Sequence, residues 1–254
     1  MTRLAVLALL ALWLPSISQP TPQELDFVPV GVRYTADATP ARRTIDHDTI
    51  GRARFNVAAA PADGAQQTAT LTRLDRPSLG APPATVVVRA ADLGVIRITA
   101  ATTAENVKEA AWTLLARGSR GVIFDDWIEL QQNAAALAEA SAFARTITSN
   151  MALYAPLRHV EKTGARAIAL KGDEGSVEAQ WLESAEALLL VAVNRGGEPR
   201  EVVFTFPAEV PEAVWQNMLT GGSVNFVAGP SGPFYEHAMP AHDVLVLMIR
   251  KRWK

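Results

Sequence analysis

The chain has 254 residues, 49% apolar and 20% charged, with a formal net charge of −2 and no cysteine. That length and apolar content fit one large domain or two modest ones with a genuine core, and exclude a chain that stays disordered. The near-neutral charge supplies no overall pull toward nucleic acid, and the lack of thiols excludes disulfides, thiolate metal sites and cysteine nucleophiles.

Residues 1–18 read as a secretory signal. Arg3 supplies the positive start, Leu4 to Leu14 an apolar run stopped by Pro15, and Ser16-Ile17-Ser18 the small residues ahead of cleavage near Gln19. About 11 apolar residues are too few for a bilayer core of roughly 30 Å. The expectation is an exported protein, periplasmic or extracellular, with no stable membrane association once the signal is removed.

From residue 19 to 157 the pattern alternates strand and helix. Phe27 to Tyr34 reads as a strand entering a polar loop, Ile45 to Arg54 as a short helix, and Phe55 to Ala60 as a buried strand ended by Pro61 and the Asp63-Gly64 turn. Residues 65–84 fit neither template, since Leu71 and Leu74 have helical spacing while Pro77, Pro82 and Pro83 limit a helix. Thr85–Arg89 and Val95–Thr99 are β-branched runs and read as strands. Thr102 and Glu105 have capping-box spacing. Val107, Ala110, Ala111, Leu114 and Leu115 then share one helical face, and Gly118 ends the helix. Gly121 to Phe124 is a strand, and Leu130 to Met151 carries the apolar stripe of one long helix. Strand, helix, strand, helix at this spacing implies right-handed parallel crossovers.

After Pro156 the texture changes. Residues 166–171, 177–183, 187–194, 201–206, 214–219, 224–227 and 244–250 are short strand candidates separated by glycine-rich turns. Seven such segments predict an antiparallel β-sandwich over residues 158–254. The fold class expected is therefore α/β plus all-β: an incomplete (β/α) barrel-like domain over 19–157, then the sandwich.

Ala111-Trp112, Leu115-Ala116-Arg117-Gly118 and Gly121 to Phe124 resemble the last helix–strand–helix of barrel glycoside hydrolases of the large retaining clan, β-galactosidase-like members above all. Arg52-Ala53-Arg54-Phe55-Asn56-Val57 resembles an early helix-to-strand junction of the same family, in which a β-sandwich often follows the barrel. The resemblance implies a carbohydrate partner. It also implies two catalytic glutamates, one after an asparagine, and these are missing. No Asn-Glu pair follows a strand, and Val95–Thr99 runs into Ala100-Ala101. A full barrel needs eight strands, and residues 19–157 offer four or five.

Loops at the carboxyl ends of parallel strands carry binding and chemistry in such folds. Asp125 and Asp126 end a strand there and are the candidate acids, with Trp127 as an apolar platform for a sugar ring. The competing assignment has one aspartate capping the next helix and Trp127 in the core. Arg33, Tyr34 and Asp37 follow the first strand and are candidate substrate contacts, as is Asp92, for which an Asx-turn is the stronger alternative. His47, His159, His237 and His242 lack metal-ligand spacing, no nucleotide motif occurs, and no cofactor is expected. Aromatic residues in the sandwich, Trp181 and Trp215 among them, fit a core better than a sugar site. The function expected is a carbohydrate-associated protein whose hydrolysis is lost. The rivals are an active hydrolase using aspartates, and an interaction module that forms a homo-oligomer through exposed sheet edges.

Overall fold

The computed structural model describes residues 25–34, 39–60, 67–74, 84–161, 167–207, 210 and 214–251. In chain order the first half holds β1 (Val30–Arg33), α1 (Pro40–Arg52), β2 (Val57–Ala59), β3 (Thr68–Arg73), β4 (Thr85–Arg89), β5 (Leu93–Arg97), α2 (Ala104–Ala116) and β6 (Gly121–Asp125). Then come α3 (Trp127–Gln132), α4 (Ala134–Ser149) and α5 (Met151–Tyr154).

The six strands form one sheet in the order β4-β3-β2-β1-β6-β5. β5, β6, β1 and β2 are mutually parallel, while β3 and β4 are added antiparallel. The two edge strands, β4 and β5, are consecutive in the chain, joined only by the 3-10 turn Ala90–Asp92. A flat six-stranded sheet would hold its edges about 24 Å apart, whereas the four steps from Arg89 to Leu93 reach at most about 14 Å. The sheet therefore curls until its edges meet at this turn. It is a curled, half-barrel-like sheet of six strands with β4 and β5 as its edges.

Several local expectations are corrected. The first helix begins at Pro40 rather than Ile45, because proline suits the first helical position and the Thr39 hydroxyl accepts from the Arg42 amide at 3.3 Å. The ambiguous stretch contains β3. The capping box of α2 is Thr103 with Asn106, one residue later than predicted, since the Thr102 hydroxyl is taken by the Thr99 amide at 2.9 Å. The single long helix is three. Asn133 breaks it by accepting from the Ala136 amide at 3.0 Å while donating to the Thr102 carbonyl at 2.8 Å.

The second half is antiparallel. It comprises β7 (Arg158–Val160), β8 (Ala169–Lys171), β9 (Val177–Glu183), β10 (Ala187–Asn194), β11 (Arg200–Thr205), β12 (Val214–Asn217), β13 (Ser223–Asn225), β14 (Phe234–Met239) and β15 (Val244–Arg250). One sheet runs β13-β12-β15-β10-β9-β7 and the other β14-β11-β8. β7 and β14 are strands the pattern analysis did not identify. Between the sheets lie Leu188, Leu190 and Ala192 of β10, Leu245, Leu247 and Ile249 of β15, and Val202 and Phe204 of β11, with Trp181 and Trp215. Both tryptophans belong to this core, at 3% and 0% exposure.

The alternate residues of the same strands, Leu189, Val191 and Val193 of β10 and Val244, Val246 and Met248 of β15, face the other way. They join one cluster with Val107, Ala111, Trp112 and Leu115 of α2 and with Val122 and Phe124 of β6. So β10 is buried on both faces, and every one of its eight residues is buried. The sequence Ala-Leu-Leu-Leu-Val-Ala-Val-Asn has no polar alternation for that reason. Polar clasps ring the same junction. Lys108 Nζ meets Asp243 at 2.7 Å, and Arg117 grips Glu178 through two bonds of 2.9 and 2.8 Å, with Arg195 on the same carboxylate at 2.8 Å. Inside the curled sheet a second, smaller cluster gathers Phe27, Val57, Leu71, Val88 and Ile123. Gly31 is needed there because a Cβ would lie 2.1 Å from the Val57 carbonyl oxygen.

Trp112 is 1% exposed and meets Phe143 edge-on at 5.0 Å. Its replacement in Trp112→Ala should cost about 3–5 kcal/mol in urea unfolding. Hydrogen bonding from Arg117 holds the Glu178 carboxyl below its ordinary value of 4.5. The stability it contributes is full above that pH and is lost as pH falls through the lower folded value. The stability difference between the parent and Glu178→Gln should hold steady from neutral pH down to 4.5 and then shrink.

Candidate functional site at the carboxyl edge of the parallel strands

Because β5, β6, β1 and β2 run parallel, their carboxyl ends share one edge, which carries Arg97, Asp125, Arg33 and Ala59. Val32 is opposite Phe124, so Arg33 and Asp125 are the next neighbours along the two strands. Arg33 Nη1 donates to Asp125 Oδ2 at 2.5 Å, and the two side chains are 25% and 21% exposed. Arg33 Nε is buried with no hydrogen-bond partner among the described residues. Asn56 fixes the start of β1. Its Oδ1 accepts from the Val30 amide at 2.8 Å and its Nδ2 donates to the Val28 carbonyl at 2.9 Å.

Tyr34 is the next residue and, by strand alternation, faces α1 instead. Its hydroxyl donates to Asp46 Oδ2 at 2.5 Å, and Arg42 Nε reaches the same oxygen at 3.2 Å. Burial, and then the hydrogen bond and charge of Asp46, push the Tyr34 pKa up to about 12. His47 stands edge-on to the Tyr34 ring at 5.7 Å, and burial followed by the Arg43 charge lowers its pKa. Asp46 was not singled out from the sequence. Its only trace there is the four-residue spacing from Arg42.

The remaining candidates are dispersed. Asp126 Oδ1 accepts from the Ile128 amide at 2.6 Å, so this carboxylate caps α3. Trp127 is 2% exposed and packs edge-on to Phe55 at 6.2 Å, so its ring faces the core rather than a ligand. Asp92 lies before β5, at the amino end of the parallel strands. Its carbonyl accepts from the Arg120 amide at 2.7 Å and its carboxylate from Arg89 Nε at 3.0 Å. It therefore sits a strand's length away from Asp125. Asp37 falls outside the described residues. Thus Arg33 and Asp125 are brought into contact, Asp126 adjoins them as a cap, Tyr34 turns to the neighbouring helix, and Asp92 is remote.

Chemically, the pair is a carboxylate that keeps acceptor lone pairs beyond the one Arg33 occupies, next to a planar guanidinium whose other N–H groups meet no acceptor among the described residues. Such adjacency of donors and acceptors matches a vicinal diol. Among the described residues, no group of three or more His, Asp and Glu is placed to hold a metal ion, and no helix is long and apolar enough to cross a membrane.

No protein-family model matches the chain, and no curated protein matches it. Similar solved structures include a GH30 endoxylanase from Clostridium papyrosolvens, at 12% identity and a TM-score of 0.41, covering 62% of this chain and 41% of that one. A GH27 β-L-arabinopyranosidase from Geobacillus stearothermophilus has 9% identity and a TM-score of 0.38, covering 58% and 30%. A catalytic mutant of a GH42 β-galactosidase from G. stearothermophilus has 19% identity and a TM-score of 0.24, covering 34% and 10%. The chain spans less than half the length of each of these proteins.

The Arg33–Asp125 contact is partly exposed, so its worth is that of a partly screened ion pair. A double-mutant cycle with Arg33→Ala and Asp125→Ala, measured by urea unfolding, should return a coupling of about 1 kcal/mol.

Proposed function

We propose that this is an exported carbohydrate-binding protein built on a reduced glycoside-hydrolase-like barrel, in which Arg33 and Asp125 receive sugar hydroxyls and no glycosidic bond is cleaved. The reading starts from the family resemblance of residues 104–157 and from the absence of its Asn-Glu motif. The observation that carries it is how the two adjacent edge acids are used. Asp125 is tied to a guanidinium and Asp126 to the first turn of α3. Hydrolysis by the usual route needs two carboxyl groups facing across the bond, about 5–5.5 Å apart for retention and about 6.5–9.5 Å for inversion. One acid held by Arg33 and one consumed by a helix cap do not supply that couple. Binding through hydroxyl contacts asks less, namely donors and acceptors held in fixed relation, which the ion pair provides.

Export follows from the leader-like residues 1–18, and the secreted product should begin near Gln19 by N-terminal sequencing. The binding reading is tested by a thermal-shift screen of that product against mono- and oligosaccharides. A sugar at ten times its dissociation constant should add about 1.4 kcal/mol of stability, and Asp125→Asn and Arg33→Ala should each abolish the shift. Release of nitrophenol from aryl glycosides by the parent, lost in Asp125→Asn, would overturn the non-hydrolytic reading.

A further inference from the structure

The free edge of β5 has a feature that the sugar reading does not use. At the two ends of the β5–β6 ladder, the Asp92 carbonyl accepts from Arg120 and the Ile98 amide donates to Asp125. Even-numbered residues of β5 therefore direct their backbone groups toward β6, and by alternation Val95 and Arg97 direct theirs away from it. Among the described residues nothing pairs with the N–H or C=O of either. Those groups open into a groove of about 440 Å³, walled on one side by Val95, Ile96 and Arg97 and on the other by α2 and Arg195. Val95 is 46% exposed, although its strand neighbours Gly94 and Ile96 are buried. An edge strand facing a helix across a gap of this kind is the arrangement in which an extended peptide adds as another strand.

We propose that the β5–α2 groove binds an extended acidic peptide segment of another protein by strand addition, with the peptide backbone pairing with Val95 and Arg97. The apolar wall of Ile96, Ala110 and Leu114 takes alternate apolar side chains, and the side chains between them meet the face of β5 that carries Val95 and Arg97. Arg97 has no ion-pair partner among the described residues and so takes a carboxylate. Arg195, at the other end, already shares Glu178 with Arg117. The charge distribution disfavours a second copy of this chain as occupant. Arg97 lies at the carboxyl end of β5 and Arg195 beside Thr113, near its amino end. A two-fold pairing of β5 with itself would set Arg97 against the copy's Arg195, while Glu109, which also lines the groove, is turned to His242 at 3.4 Å. Like charges so placed oppose association. This inference is independent of sugar binding at Arg33 and Asp125.

The test uses the full secreted protein and three fluorescein-labelled seven-residue peptides that alternate valine with glutamate, lysine or threonine. Anisotropy should rank glutamate first, with at least tenfold weaker binding of the lysine peptide, and the glutamate peptide should slow hydrogen exchange at the Val95 and Arg97 amides. Arg97→Glu should reverse the ranking. Val95→Pro removes an outward-facing donor that β6 does not use, and edge strands tolerate proline. It should weaken the glutamate peptide at least tenfold, with circular dichroism and melting temperature reporting that the fold is kept. If Val95→Pro unfolds, Arg97→Glu alone decides. No preference between the peptides, or no protection at the two amides, would overturn the proposal. So would protection already present in the free monomer, or a concentration-dependent dimer by light scattering that Arg97→Glu dissolves.

Discussion

The double burial of β10 is the constraint on which the rest of the structure depends. Leu188, Leu190 and Ala192 pack into the sandwich, and Leu189, Val191 and Val193 pack against α2 and the curled sheet. A strand buried on both faces cannot slip by one residue to relieve either side without disturbing the other, so its register is fixed twice. Through α2 that rigidity passes to β5 and β6, whose carboxyl ends carry Arg97 and Asp125. The sandwich therefore acts as a wall against which α2 and the curled sheet pack. A curled sheet of six strands has less interior to fill than an eight-stranded barrel, and Phe27, Leu71, Val88 and Ile123 fill it.

Much of this was legible from the chain. The period-3.6 face of Val107, Ala111, Leu114 and Leu115, the run Gly121 to Phe124, and the unbroken apolar run of β10 each mark their elements, because burial against a neighbour leaves a strong pattern. Less visible was what depends on contacts distant in sequence. β3 hides among prolines and threonines, since an antiparallel add-on strand with one face near solvent needs few large apolar residues. Asn133 reads as one more polar position in a helix until its side chain meets the Thr102 carbonyl 31 residues away. The curl itself follows from pairing order and the length of the Ala90–Asp92 turn, and neither is a property of any one segment.

The candidate site shows the same division. A parallel strand ending in adjacent acids is enough to locate Asp125 at the carboxyl edge of the sheet. It does not say which acid is committed to the fold. The Ile128 amide decides that for Asp126, and the packing of Phe55 decides it for Trp127. Asp92 is displaced by topology alone, because a residue before a strand and a residue after its parallel neighbour lie at opposite ends of the sheet. Asp46 carries no motif, yet it organises Tyr34 and Arg42 beside the edge. Groups that position others are the hardest to read from one sequence, since their role lies in the partners they reach.

If the curled sheet and the sandwich share β10 as one core, they must melt together. Differential scanning calorimetry of the protein measures this most directly. A single transition whose calorimetric and van't Hoff enthalpies agree is the predicted result. Two resolved transitions, one for each half, would contradict the account.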